Sequence, residues 1–233
     1  MIKVIRNFLT QTECDNIVAE VKSRKDSWKF YDNIEVLGNS FYRIWLNNGR
    51  NAKDAWETYS AAQNVDIMDE LFRSRISAHV NYDDVRFTQH FSRPGFQIIT
   101  KETPRNWHYD DDKLHYPYAV EFPDYKTFDY FDDAYTFTLM LTEGNFTYEY
   151  YPQTQSRYRS KATYYCQKHH ELYGDDCDCD LKNPIKIVYQ KGDLILAKNR
   201  QLHRVGPSTY KTDERITLQG SGVVKNKVLY IYW

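Results

Sequence analysis

The sequence predicts a mainly β domain with flanking helices, and three observations support this prediction. Aromatic residues make up 16% of the 233 residues, including 21 tyrosines, and aromatic rings fit well on a pleated sheet. From about Val85 onward, apolar and polar residues alternate in short runs that turn residues separate. Before that point, apolar residues recur at helical spacing. Many short strands with turns between them favour a sandwich, barrel or jelly roll.

Two helices are predicted before the strands. Thr10 and Glu13 form a capping box, and apolar residues at helical spacing follow it. A second helical region extends from Trp56 to Ile76, with a break near Asn64. We expect both helices to lie on the outside of a sheet, because each has one apolar face.

The strands are predicted from alternation and from turn residues. Gly144 and Asn145 separate two alternating runs and predict a hairpin. The stretch 152–183 is polar, tyrosine-rich and weakly periodic, so we interpret it as an inserted loop or arm in a single domain spanning 1–233. The predicted strands are Val85–Phe91, Phe96–Thr100, Tyr135–Leu141, Phe146–Tyr150, Ile185–Tyr189, Asp193–Ala197, Arg215–Gln219 and Val228–Tyr232.

Composition and charge exclude several classes of protein. The apolar fraction of 41% is enough for a real core. The net charge of −1, from 31 basic and 32 acidic residues, gives no footprint for nucleic acid. No apolar run is long enough to span a membrane, and the first residues do not resemble a signal peptide. We therefore expect a cytoplasmic protein with four reduced cysteines, whereas its oligomeric state does not follow from the sequence.

Three positions could supply the ligands of a metal ion. His108 and Asp110 are two residues apart, so their side chains would lie on the same face of a strand. His203 would approach from a distant strand. Two histidines and one carboxylate cover one face of an octahedral Fe(II) ion and leave three positions open. A 2-oxo acid could take two of these positions, and dioxygen the third.

Arg215 and Thr217 could bind the far end of such an acid. They are two residues apart and would share a face of a strand. The planar guanidinium group of arginine pairs with a carboxylate through two hydrogen bonds, and a threonine hydroxyl could add another. The alternatives are an exposed ion pair between Arg215 and Glu214 or Asp213, and an ordinary strand threonine at Thr217.

These residues lie in motifs that resemble the Fe(II)/2-oxoglutarate-dependent oxygenases, and most closely their prolyl-4-hydroxylase-like branch. In that family a Gly-Asp turn opens a strand, the second metal-binding histidine follows, a proline comes soon after, and the next strand begins with the arginine that binds 2-oxoglutarate. The segments that carry the resemblance are Ile5–Leu9, Thr12–Cys14, Gly192–Ala197, Leu202–Pro207 and Arg215–Leu218.

The resemblance implies a double-stranded β-helix core and a hydroxylase. Iron would be bound by His108, Asp110 and His203, and 2-oxoglutarate by Arg215. The family uses dioxygen to oxidise 2-oxoglutarate to succinate and carbon dioxide while it hydroxylates an unactivated C–H bond, with ascorbate as a candidate reductant. Halogenating relatives replace the carboxylate ligand with a small residue, so the presence of Asp110 favours hydroxylation over chlorination.

One departure from the family concerns 2-oxoglutarate. The branch often has a tyrosine about eight residues before the first metal-binding histidine, and this chain has Thr100 there. The missing contact would come from Thr136, from Thr138 or from a tyrosine elsewhere.

The substrate is less constrained by the sequence. Arg105 and Trp107 flank the first ligands and could face a substrate, although an exposed loop arginine and a core tryptophan are the alternatives. A small molecule such as a free amino acid is the leading class. A protein or peptide hydroxylase is the alternative enzyme, and a catalytically silent β-sandwich binding module is the alternative of another class.

A second group of possible metal ligands lies in the insert. Thiolate and imidazole are the preferred ligands of structural zinc, but the spacing here is not that of a familiar zinc finger. The alternative is an acidic insert with incidental cysteines. The residues concerned are Cys166, His169, His170, Cys177 and Cys179.

Overall fold

A computed structural model describes residues 2–31, 34–38, 67–88, 95–99, 131–151, 183–198, 202–206, 209–210 and 214–232. These residues form two sheets, two α-helices and one short 3₁₀ helix. The elements follow in the order β1 (Ile2–Ile5), α1 (Gln11–Ser23), the 3₁₀ helix (Lys25–Ser27), β2 (Lys29–Tyr31), β3 (Ile34–Gly38), α2 (Ile67–Ser77), β4 (Asp84–Phe87), β5 (Gly95–Ile99), β6 (Asp133–Met140), β7 (Gly144–Tyr150), β8 (Ile185–Tyr189), β9 (Leu194–Lys198), β10 (His203–Val205), β11 (Thr209–Tyr210), β12 (Arg215–Lys225) and β13 (Val228–Tyr232).

The capping box at the start of α1 is confirmed. The Thr10 hydroxyl accepts a hydrogen bond from the Glu13 amide at 3.2 Å, and the Glu13 carboxylate accepts one from the Thr10 amide at 2.7 Å. Arg75 of α2 also donates to the Glu13 carboxylate, which ties the two helices together. The predicted second helix is observed from Ile67 onward, and its proposed break near Asn64 lies outside the described residues.

The described strands form a nine-stranded major sheet and a four-stranded minor sheet. The major sheet has the order β1-β9-β6-β12-β5-β3-β2, with β13 beside the second half of β12 and β4 beside β13. In the minor sheet, β7 pairs with β8, β10 and β11. The helices cover one face of the major sheet, as expected, and the minor sheet covers the other. The architecture is therefore a jelly roll with flanking helices.

The hairpin predicted at Gly144 and Asn145 is wrong. β6 belongs to the major sheet and β7 to the minor sheet, so the chain crosses between sheets at this turn. The physical reason is that both edges of β6 are already occupied, one by β9 and the other by β12. Because β7 finds no free edge on β6, it begins the second sheet.

Each face of the major sheet buries a different set of side chains. The helix-facing side is apolar, with residues such as Phe96, Leu139 and Leu218 packed against α1 and α2. We call the surfaces that the two sheets turn toward each other their inner faces. A smaller apolar cluster lies between them and contains Met140, Phe146, Tyr148, Tyr189, Ile195 and Ala197.

The Gly192–Asp193 turn fastens the N-terminal segment to the sheet. Gly192 has a φ of +86°, and a Cβ atom there would lie 2.4 Å from the Leu9 carbonyl oxygen. Asp193 accepts hydrogen bonds from the Asn7 and Gln190 amides and pairs with Arg6. This part of the motif is thus explained by folding rather than by chemistry.

The fold gives two further findings. Cys14 is a buried free thiol, and burial raises its pKa to about 12, so it is not a reactive thiolate. Within the described ranges, neither helix has the length and apolar character needed to cross a bilayer.

Candidate functional site

Arg215 is the first residue of β12, and its side chain lies between the two sheets. It is 1% exposed. Its Nη2 atom donates to the Tyr189 hydroxyl at 2.8 Å, and its guanidinium carbon lies 5.2 Å from the centre of the Phe146 ring. The minor sheet therefore supplies a hydroxyl and an aromatic face to a cation that the major sheet provides.

The guanidinium group has no counter-ion within the described part of the chain. Its Nε atom is buried without a hydrogen-bond partner, and no carboxylate of the described residues forms an ion pair with it. The ion pair with Glu214 suggested by the sequence is wrong, because Glu214 pairs with Lys22 at 2.8 Å and Lys25 at 3.7 Å instead. The other suggested partner, Asp213, lies outside the described residues. A buried cation in this state favours binding of an anion.

The start of β12 is held by the two residues that follow β6. The Thr142 hydroxyl accepts a hydrogen bond from the Ile216 amide at 3.1 Å, and the Leu141 amide donates to the Ile216 carbonyl at 3.0 Å. These bonds fix the backbone next to Arg215, so its side chain enters the space between the sheets in a defined direction.

Thr217 shares the inner face with Arg215, as their spacing predicts. It is fully buried, lies opposite Gln97 and Met140, and accepts a hydrogen bond from Gln219 at 3.5 Å. As an acceptor in that bond, the hydroxyl keeps its own proton for another acceptor.

His203 lies on β10, at 8% exposure, and is paired with Tyr150 of β7. Its ring stacks on Tyr148, with centroids 5.2 Å apart and an interplanar angle of 14°. Phe146, Tyr148 and Tyr150 are successive inward residues of β7, so this one strand connects the surroundings of Arg215 with those of His203. The structure thus places His203, Arg215 and Thr217 around one inter-sheet space.

The remaining predicted ligands fall in segments that the structure does not describe. His108 and Asp110 lie there, as do the candidate substrate residues Arg105 and Trp107 and the position Thr100. The same holds for the possible zinc ligands from Cys166 to Cys179. Among the described residues no group of three potential metal ligands comes together. These assignments remain predictions.

Sequence reasoning did not single out Phe146 and Tyr189, the aromatic partners of Arg215. Tyr189 follows the alternation of β8 and lies opposite Phe146, with ring centroids 5.8 Å apart. It is a tyrosine from elsewhere in the chain that contacts the predicted 2-oxoglutarate arginine. The alternation could have placed it on the inner face, but not beside Arg215, because that contact joins two sheets.

Comparison with known proteins identifies the fold. No protein-family model and no curated protein matches the sequence. One similar structure is HygX from Streptomyces hygroscopicus, solved with nickel and 2-oxoglutarate bound. The alignment covers 97% of this chain and 83% of HygX, with 10% sequence identity and a TM-score of 0.54. The non-haem alpha-ketoglutarate-dependent epimerase SnoN from nogalamycin biosynthesis matches over 96% and 81%, with 10% identity and a TM-score of 0.50.

The core is a double-stranded β-helix. A prolyl-4-hydroxylase from Pseudomonas putida is also similar, with 13% identity, 97% and 92% coverage and a TM-score of 0.46. In the double-stranded β-helix of this chain, the two sheets enclose Arg215 and His203.

Proposed function

We propose that the chain is an Fe(II)- and 2-oxoglutarate-dependent oxygenase that hydroxylates an unactivated C–H bond of a small molecule, such as a free amino acid. The observation that carries the proposal is the buried guanidinium group of Arg215, which has no carboxylate partner among the described residues. The double-stranded β-helix fold shared with HygX and SnoN supports it. We also propose a cytoplasmic location.

Arg215 fits the far carboxylate of 2-oxoglutarate. Its unpartnered Nε atom can donate to a carboxylate oxygen, and the Tyr189 hydroxyl, which accepts from Nη2, retains a proton that it can donate. Thr217 offers a second hydroxyl, and so a third polar group, on the same face as Arg215. Because all three groups are buried, water does not compete for the carboxylate.

Iron would be held by His108, Asp110 and His203, a donor set that suits Fe(II). When bound, iron and 2-oxoglutarate supply the oxidising chemistry, in which dioxygen provides the hydroxyl oxygen and 2-oxoglutarate becomes succinate and carbon dioxide. Tyr148 restrains the His203 ring by stacking, which orients its nitrogen donors before a metal arrives. The protein thus contributes positioning and the exclusion of water.

The test is conversion of 2-oxoglutarate to succinate by the purified protein with Fe(II), dioxygen and ascorbate. Arg215→Ala should raise the half-saturating 2-oxoglutarate concentration about a hundredfold, because it removes hydrogen bonds to a charged group. Its iron content should stay unchanged. Arg86→Ala removes an exposed arginine at the far edge of the major sheet and should behave like the wild type.

His108→Ala tests the metal assignment in the same assay. We expect loss of both iron and turnover. Equal consumption of 2-oxoglutarate by this variant and the wild type would overturn the ligand assignment. Absence of succinate in every wild-type reaction would instead favour a silent binding module.

A further inference from the structure

A second set of polar side chains lies on the inner face of the major sheet, beyond Arg215 and Thr217 in the direction of β12. We call it the polar stripe, and it consists of Gln219 and Ser221 of β12 with Thr136 and Thr138 of β6. Gln219 lies directly opposite Thr138, and Ser221 opposite Thr136, so all four share the face of Arg215 and Thr217. On the far side of β6, Thr138 is opposite Ile195, an inter-sheet core residue.

Most hydrogen-bonding groups of the polar stripe have no partner among the described residues. Its side chains are half-buried. Within the described ranges, its one side-chain hydrogen bond runs from Gln219 to Thr217, at the long distance of 3.5 Å. Polar groups between two sheets cost free energy unless they find partners, so this surface is suited to bind hydrogen-bonding groups from outside the chain.

The far half of the polar stripe lies beyond the reach of 2-oxoglutarate bound at Arg215. A strand rises about 3.3 Å per residue, so the backbone of Gln219 is some 13 Å from that of Arg215, and Ser221 is some 20 Å away. A five-carbon acid spans roughly 5 Å between its end carbons, given C–C bonds of about 1.5 Å. Because the arginine side chain adds its own length to that of the acid, a molecule with one carboxylate on Arg215 can approach Gln219 but leaves Ser221, and Thr136 opposite it, free.

The polar stripe also lies toward the same end of the fold as His203. β6 ends beside the start of β12, and β7 begins there after a short turn. Both β12 and β7 therefore run away from the Arg215 end, which is also where Phe146 and Tyr189 lie. Tyr150, which is opposite His203, is four residues beyond Phe146 on β7. Gln219 is likewise four residues beyond Arg215 on β12, so Gln219 and His203 lie at a similar distance from the Arg215 end.

The chemistry of the polar stripe is neutral. It has three hydroxyls and one carboxamide, each of which can donate and accept hydrogen bonds. None of its members carries a charge, so an ionic group placed against it would lose water without gaining a counter-ion from it. An amide or a hydroxyl group could instead exchange hydrogen bonds with these side chains.

We propose that the polar stripe is the subsite for the molecule to be hydroxylated, and that it binds an uncharged amide or hydroxyl group of that molecule. The inference rests on the proposed function, because it takes the Arg215 end as the site of 2-oxoglutarate. It sharpens the substrate class: the charged ends of a free amino acid would lie elsewhere, and a neutral polar part would contact β6 and β12.

The experiment measures binding rather than turnover. The full chain is loaded with 2-oxoglutarate and nickel(II), and loading is verified by equilibrium dialysis. Propionamide, propionate and propylammonium are then titrated and followed by ligand-observed NMR. Propionamide should bind at least about tenfold more tightly than either ion. Thr138→Val and Gln219→Leu should each weaken propionamide about fivefold, since each removes a hydrogen-bonding group.

Thr147→Val is the matched control for Thr138→Val. It makes the same chemical change on the outward side of β7, so propionamide binding should not change. If 2-oxoglutarate loads but propionamide does not bind, or the ions bind as tightly, or Thr138→Val has no effect, the polar stripe is not the subsite and the proposed function still stands. Failure of 2-oxoglutarate to load would overturn both.

Discussion

Glu149 and Arg215 are each 1% exposed, yet their surroundings differ. Glu149 lies on the outer face of the minor sheet, where Arg204 donates to one oxygen at 2.8 Å and the Lys186 ammonium group lies 3.1 Å from the other. Arg215 lies on the inner face of the major sheet, where its neighbours are the Tyr189 hydroxyl and the Phe146 ring.

The difference separates a buried charge with ionic partners from one without such a partner among the described residues, which we propose binds an anion. Glu149 has two cations and joins β10 to β7 and β8, beneath the strand that carries His203. Gly206 allows this arrangement, because a Cβ atom there would lie 3.0 Å from the Glu149 side chain. Arg215 has no such partner among the described residues. Its burial costs free energy that a bound anion would recover.

The largest expected effect is on the free energy of unfolding, which should respond differently when each of the two buried charges is removed. Glu149→Gln should lower the free energy of unfolding by about 2 kcal/mol, because Arg204 loses a hydrogen bond to a charged acceptor. Arg215→Met should leave the unfolding free energy of the ligand-free protein unchanged or raise it, because an unpaired buried charge is replaced by an apolar side chain. Urea unfolding of both variants measures the two values.

Glu70→Gln is the control, because it removes a carboxylate whose side chain is 78% exposed on α2, and little change is expected. If Arg215→Met were as destabilising as Glu149→Gln, Arg215 would be a structural residue, and the contrast between the two charges would fail.

The second expected effect is that the stability difference between wild type and Glu149→Gln depends on pH. Burial opposes the ionisation of Glu149, but the hydrogen bond from Arg204 and the nearby Lys186 outweigh it and hold the pKa below the ordinary value of 4.5. A lowered pKa stabilises the folded protein above the unfolded-state pKa, and this contribution is lost as the pH falls through the folded-state pKa. The stability gap between wild type and Glu149→Gln should therefore be full near neutral pH and narrow below pH 4.5. If the difference in unfolding free energy stayed constant as the pH was lowered, Glu149 would not be ionised in the folded protein.

The sequence was sufficient for features that depend on local spacing. Two-residue spacing placed Arg215 and Thr217 on one face, and alternation identified most of the observed strands. The strand predicted from Arg215 ended too early, at Gln219, because Gly220-Ser221-Gly222 resembles a turn. In the structure β12 continues to Lys225, because β6 pairs with it along that stretch, and Gly222 fits where a Cβ atom would lie 3.0 Å from Phe137 and Leu229.

Features that depend on pairing between distant strands could not be read from the sequence. The turn after β6 signals a reversal of the chain, but not that both edges of β6 are taken. In the same way, nothing local to Tyr189 indicates that its hydroxyl meets Arg215, 26 residues later, across the space between the sheets. The candidate site is composed mainly of such contacts, so its aromatic half emerged from the structure.

The smallest expected effect tests whether Tyr189 belongs to the anion site. Tyr189→Phe keeps the ring that contacts Phe146 but removes the hydroxyl that accepts from Arg215. The dissociation constant of 2-oxoglutarate should rise about fivefold, the effect of roughly one hydrogen bond, while iron content stays unchanged because Tyr148 holds His203 separately. Tyr82→Phe is the matched control, since its hydroxyl bonds to that of Tyr135 at 2.6 Å, near the helix-facing core. If the two variants shift 2-oxoglutarate affinity equally, the hydroxyl acts through general stability, and Arg215 binds the acid without help from the minor sheet.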